Sequence, residues 1–154
     1  VVNIKIRGHL QLGVQANQTA TDVFPHVRLA LVQDKQTNAA QLNAEDVFSS
    51  AGAANATLMW QNPAFFGRFK ILKDKSFRMP QAMVTWDGTN IEQNGYTLPF
   101  KWNITFKKPV VVHFNGTNGG TVADTIDNSF HIIGNSTNAL AVLSYKCRTT
   151  FLDQ

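Results

Sequence analysis

The cations of this chain fall in clusters suited to contact with phosphate. Arg68, Lys70, Lys73, Lys75 and Arg78 lie within one short run. Lys101, Lys107 and Lys108 form a second group, and Lys5 and Arg7 a third. Several cations on one surface offset the charge of a polyanion, and the resulting affinity falls with salt. The plainer alternative is that lysines along strand edges discourage stray pairing and keep the surface hydrated. The aromatic residues Trp60, Phe65, Phe66, Trp86 and Trp102 offer a second chemistry. Aromatic faces stack on bases without sequence preference, and Phe65-Phe66 directly precedes the first basic run. Trp102 and Phe106 sit on the apolar phase of a strand and read as core. Trp60 and Trp86 flank loops and read as contacts between protein surfaces, where aromatics are enriched.

Catalytic chemistry has little to stand on. There is no G-x-S-x-G and no P-loop. The histidines are His9, His26, His113 and His131, and none has a partner at a ligand spacing such as H-x-x-x-H. A fold could still bring His113 and His131 together on adjacent strands. Asp124 and Asp127 follow Gly119-Gly120 and are a weak signal for calcium. A single cysteine, Cys147, excludes an internal disulfide and a Cys-based zinc site. Its phase, shared with Leu143 and Tyr145, predicts a buried, inert thiol. No reaction, cofactor or metal site is expected.

The elements that must carry these residues are strands. Ile4, Ile6, Leu10 and Leu12 alternate with Lys5, Arg7, His9 and Gln11, and Gly8 marks a bulge or a close backbone approach. Phe24 to Gln33 reads as a second strand. Leu42 to Phe48 reads as a short helix, with Asn43 as its cap and Glu45-Asp46 in its first turn. Phe65 to Met79 reads as a strand bent near Asp74. Met83 to Trp86, Phe100 to Lys107, Val110 to Phe114, Phe130 to Ile133 and Leu140 to Leu152 complete the set. Asp87-Gly88 and Asn94-Gly95 are turn signals. Gly13 to Asp22 and Asp87 to Asn94 read as polar loops. About eight strands with one helix predict an all-β, eight-stranded antiparallel sandwich.

Composition agrees with one domain over residues 1–154. The net charge is +4 and the pI about 9.4, mild for a nucleic-acid binder. Only 16% of residues are charged while 44% are hydrophobic, against a usual charged share of about 25%. Asn, Gln, Thr and Ser must therefore supply the polar surface, which suits broad contact with other protein. No apolar run approaches the roughly 18 residues of a membrane span. Five N-x-S/T sequons occur, at Asn17, Asn55, Asn103, Asn115 and Asn135, and Asn103 lies within a strand pattern, a poor place for a glycan.

The segment Val27 to Phe48, VRLALVQDKQTNAAQLNAEDVF, joins a strand, a polar turn and a short helix. Asn62 to Lys75 contains Arg68, Phe69, Ile71, Leu72, Lys73 and Asp74. Leu98-Pro99-Phe100-Lys101 and Phe106-Lys107-Lys108-Pro109 follow, then Asp127 to Ile133 and Tyr145 to Phe151. In order and spacing this series resembles the single jelly-roll capsid proteins of small circular single-stranded DNA viruses that encode a rolling-circle replication protein. The resemblance implies a jelly roll that self-assembles, from about 60 copies, into an icosahedral shell. It implies non-specific contact with a single-stranded DNA genome through Lys5, Arg7, Arg68, Lys70, Lys73, Lys101 and Lys107. Subunit contacts would involve Leu42, Val47, Phe48, Trp60, Phe65, Phe66 and Trp86. A host receptor is implied but not its site, no membrane is involved, and the protein would occur in the virion and, during assembly, the host nucleus. Members of that family carry an Arg-rich arm before the first strand. The chain opens on Val1-Val2-Asn3 in strand-like sequence without such an arm, a departure from the family pattern that leaves packaging without its usual residues unless an upstream segment supplies them. The alternative is a secreted module, a glycan-binding jelly roll or a trimeric ligand-like β-sandwich, favoured by the sequons, the aromatics and the Asn-rich loops.

Overall fold

The computed structural model describes residues 1–12, 26–37, 40–49, 58–79, 83–86, 91–94, 97–116, 121–137 and 141–152. In chain order the elements are β1 (Asn3–Leu12), β2 (His26–Asp34), the helix α1 (Ala44–Val47), β3 (Phe69–Arg78), β4 (Met83–Trp86), β5 (Ile91–Asn94), β6 (Thr97–Thr105), β7 (Ser129–Ser136) and β8 (Ala141–Thr150). Six strands build two antiparallel sheets of three, ordered β6-β1-β8 and β3-β2-β7. Among the described residues, β4 and β5 pair only with each other. The expected eight-stranded sandwich is thus corrected to six strands in two sheets, with a separate ribbon, among the described residues. Val110 to Phe114 is not a strand: Phe114 makes one isolated bridge to Thr125. Pro109 interrupts the run, and the Val110 N–H donates to the Val1 carbonyl at 2.8 Å. Ile91 to Asn94, read as loop, is a strand instead.

Alternation explains the first sheet. Ile4, Ile6 and Leu10 of β1, with Phe100 and Trp102 of β6, are buried against Val27, Leu29, Leu31 and Phe77 of the second. This is the main core. Phe100 lies edge-on to Trp102 at 5.4 Å and tilts against Phe77 at 6.3 Å, tying the two layers together. Gly8 proves to be a close approach, since β1 pairs in unbroken register with both neighbours. A Cβ there would lie 2.5 Å from the Ser144 carbonyl oxygen and 2.8 Å from Tyr145 Cβ.

β2 departs from simple alternation. Every residue from Val27 to Asp34 is buried, so both faces of this central strand are covered. The second cover comes from the chain between β2 and β3. There Val47 and Phe48 pack with Ala30, Val32, Phe69 and Ile133 in a smaller core, flanked by Leu42 and Phe65. Asn43 caps α1 as expected, its side-chain oxygen accepting from the Glu45 N–H at 3.3 Å. The bend in β3 falls at Leu72 rather than Asp74: Lys73 opposes Leu31 and Ile71 opposes Val32, leaving Leu72 as the extra residue. The bulge lets Ile71 face the smaller core while Leu72 reaches the main one.

Candidate polyanion-binding face

The side of β6-β1-β8 turned away from the core is a cationic surface. Its register sets Arg7 between Lys101 and Lys146, and Lys5 between Asn103 and Arg148. All five cations are exposed. Neighbouring strands lie about 4.8 Å apart and alternate residues about 6.8 Å apart along a strand, so the five form a compact lattice. None of the three strands contains an Asp or Glu, although the chain has ten. Among the described residues none of these five cations forms an ion pair. Like charges directly opposed on a sheet repel, and a polyanion laid across them removes that repulsion. The rest of the face is mostly polar, with Pro99 and Val142 as its apolar members. Asn3 donates to the Asn103 side chain at 2.8 Å and to the Thr105 hydroxyl at 2.9 Å, which holds the row beside Lys5.

Of the expected cations, Lys5, Arg7 and Lys101 meet on this face, and Lys107 is exposed just beyond the end of β6. Arg68 is excluded. It makes a two-pronged ion pair with the fully buried Asp34, at 3.0 and 2.9 Å, and lies over the Phe69 ring at 4.7 Å. The hydrogen bond to Asp34 raises the guanidinium's pKa, outweighing its partial burial. Lys70 and Lys73 are exposed but lie on β3, an edge strand of the other sheet. There the edge-protecting reading applies. Lys146 and Arg148 were not singled out from the sequence. Their signal was the alternation of Tyr145 to Thr150, but only the pairing of β8 with β1 places them beside Arg7 and Lys5.

The expected subunit-contact residues divide. Val47 and Phe48 are 0% and 1% exposed, so they serve the protomer's own core and cannot meet a partner. Leu42 and Phe65 pack on the same core. Trp60 and Phe66, by contrast, are 86% and 57% exposed. The side chain of Trp86 lies outside the described residues. Of this set, the exposed Trp60 and Phe66 lie on the loop that covers the second sheet, apart from the cationic face.

The remaining polar residues are held within the chain. His113 Nδ1 lies 2.8 Å from Asp127 Oδ2, and the His113 backbone N–H donates to the same carboxylate. Burial acts to raise the Asp127 pKa, but these bonds to His113 outweigh it and the net shift is downward. The Asp124 carboxylate accepts from the Thr121 N–H and hydroxyl. The buried Thr37 hydroxyl donates to Ser129, whose hydroxyl lies 2.7 Å from His131 Nε2. Burial lowers the His131 pKa, with Arg68 adding to the effect and Asp34 opposing it. His113 and His131 thus bind different partners, and no metal-holding group of three His, Cys, Asp or Glu occurs among the described residues. Cys147 is exposed rather than buried: β8 is an edge strand whose middle is open on both sides.

Arg28 anchors the loop over the second sheet. It forks onto Asp74, donates to the Met59 carbonyl at 2.5 Å and lies 4.0 Å from the Phe48 ring centroid. At the far end of that sheet is a cleft of about 340 Å³, lined by Val112, Phe114, Val122, Phe130 and Phe151 with Ser129 and His131. No helix among the described residues is long and apolar enough to cross a membrane. No protein-family model matches this chain, and no curated protein matches its sequence.

Proposed function

We propose that this chain is a coat protein of the single jelly-roll type, which assembles with copies of itself into a closed shell around single-stranded nucleic acid. The role is structural, without a reaction. The observation that carries the reading is the cationic face of β6-β1-β8, which is contiguous, exposed and free of carboxylates. A lumen crowded with phosphate calls for such a surface. The strand pairing also supports it. β1 pairs with β8, β2 with β7 and β4 with β5, the nested order of a folded double ribbon. β3 and β6 depart from that order, pairing with β2 and β1 instead. The low charge content and the exposed Trp60 and Phe66 suit a chain that buries surface against neighbours.

A glycan-binding module is the second reading, favoured by the cleft with its exposed Phe114 and Phe151. It is the weaker one because Asn128, Ser129 and His131 of the cleft are already engaged in hydrogen bonds within the chain. Asn128 donates to the Val111 carbonyl and accepts from Gln33, and Ser129 is held between Thr37 and His131. Sedimentation and negative-stain imaging of purified protein, with and without single-stranded DNA, separate the two. Uniform shells that take up DNA are the expected result. A monomer or trimer under every salt and pH, with glycan binding, would replace the coat reading with the module.

A further inference from the structure

We propose that the hollow beside Arg7 and Lys101 seats one nucleotide of a bound single strand, its phosphate between the two cations and its base against Pro99 and the neighbouring His9. Such a seat rests on the coat-protein reading and locates where its nucleic acid is held. Register puts Arg7 opposite Lys101, Gly8 opposite Phe100 and His9 opposite Pro99. Gly8 and Phe100 belong to the inward phase, and the Phe100 ring is buried in the main core. Towards solvent they leave only backbone between the row of Arg7 and Lys101 and the row of His9 and Pro99. The hollow over that bare stretch has a volume of about 520 Å³ and is lined by Arg7, Gly8, Pro99, Phe100 and Lys101. Small-ligand sites commonly span roughly 300–1,000 Å³, so the space suits a nucleotide better than a lone phosphate.

The two sides of the hollow differ in chemistry. Arg7 presents a planar fork that matches two phosphate oxygens, and Lys101 adds a point charge directly opposite. Both are exposed and, among the described residues, neither forms an ion pair. One row on, about 6.8 Å along the strands, stand Pro99, His9 and Ser144, with no Lys, Arg, Asp or Glu among them. An imidazole ring is a face on which a base stacks, and the exposed Pro99 ring continues it as apolar surface. Pro99 is tolerated there because β6 is an edge strand, where a missing N–H costs little. The gap between the rows is comparable with the reach of a nucleotide from phosphate to base, so one residue of DNA spans them. On the other side of the Arg7 row, Lys5, Asn103 and Arg148 offer charge and amide but no ring. The strand therefore crosses the sheet with its phosphates on the cations and its bases turned towards Pro99. Every base has a face to stack, so the seat takes any of them.

The test compares two labelled single strands of ten residues on the full chain: oligothymidylate and an abasic phosphodiester of the same charge. Thymidylate should bind at least about fivefold more tightly, the low end of what stacking one base contributes. His9→Ser with Pro99→Ser should bring that ratio to one and leave the salt slope as it was. Arg7→Gln with Lys101→Gln should reduce the slope by about 1.4 and abolish the ratio as well. Lys5→Gln with Arg148→Gln removes the same charge one row away, so it should reduce the slope equally and keep the ratio. Urea midpoints show that each variant is folded, as surface substitutions should be, and the comparison on the unaltered chain needs no variant. Equal binding of both strands by the unaltered chain would overturn the seat and leave the coat reading standing. So would a ratio that survives His9→Ser with Pro99→Ser, or one lost with Lys5 and Arg148. The expected ratios in a chain that forms no shells would support the seat and overturn the shell. No binding of either strand would overturn both, and so would a sulfated oligosaccharide that binds this face more tightly than thymidylate does.

Discussion

The outer faces of the two sheets have been resolved in opposite ways. On β3-β2-β7 the chain folds back over itself: α1, Phe48 and Phe65 cover the sheet, and the buried Arg28 and Asp34 are paired with Asp74 and Arg68. On β6-β1-β8 five cations are exposed and, among the described residues, none of them has an ion-pair partner. The same residue types thus do different work. Arg68 and Arg28 stabilise the protomer by forking onto a carboxylate and lying over an aromatic ring. Arg7 and Arg148 contribute little to the fold and leave their charge for something outside it. An arginine's role here follows from whether its sheet face is covered, which residue type alone does not disclose.

The sharpest way to break this comparison is to attack the covered face. Asp34→Ala leaves the Arg68 guanidinium without its buried partner and should cost about 3–5 kcal/mol. Phe48→Ala, which empties the smaller core, should cost about as much. Urea unfolding measures both, and a loss under about 1 kcal/mol would show that the covering segment is not part of the folded core.

Neutralising Lys5, Arg7, Lys101, Lys146 and Arg148 to glutamine should do the reverse. The dependence of log affinity for single-stranded DNA on log salt should fall from a slope of roughly −3.5 towards zero. Unfolding free energy should stay within about 0.5 kcal/mol of the parent or rise, because opposed like charges are removed. Lys70→Gln with Lys73→Gln is the control. If it flattens the salt slope equally, the cationic face holds no special role.

Gly8→Ala joins the two regions. Its Cβ would press on Ser144 and Tyr145 and lever β8 from β1, at about 1–3 kcal/mol. It should also weaken DNA binding, since Lys146 and Arg148 ride on β8. Retained stability with full binding would count against the close packing.

The smallest expected effect is a pH dependence. Burial holds the folded His131 pKa below its unfolded value of about 6.5. The unfolded chain then binds more protons, so stability is complete above that pH and is lost as pH falls below it. His131→Gln should remove this slope from urea midpoints measured across mildly acidic pH. A slope that persists would place the titration elsewhere.

Much of the first sheet was legible in the sequence because each strand has one wet face. The alternation of β1 and β6 names the buried Ile4, Ile6, Phe100 and Trp102 and the exposed Lys5, Arg7 and Lys101 without reference to any neighbour. β2 was legible as a strand but not as one covered on both sides, since Arg28, Gln33 and Asp34 are polar and become buried only through distant partners. Phe48 and Trp60 show the same limit from the other direction. Both are aromatics in loop-like sequence, yet one is core and the other solvent-facing, and local pattern carries no term that separates them.

By itself the sequence determined which residues alternate, where Asn43 starts a helix, and that Lys5, Arg7 and Lys101 stand on the wet faces of their strands. Those are properties of neighbours along the chain, governed by the period of a strand and the chemistry of a cap. Only the tertiary structure decided that β8 pairs beside β1, so that Lys146 and Arg148 complete the lattice begun by Lys5, Arg7 and Lys101. It likewise decided that Asp34 withdraws Arg68 from the surface. Contacts across a hundred residues or more depend on which strand lies beside which, and alternation fixes the face of a strand without choosing its neighbour.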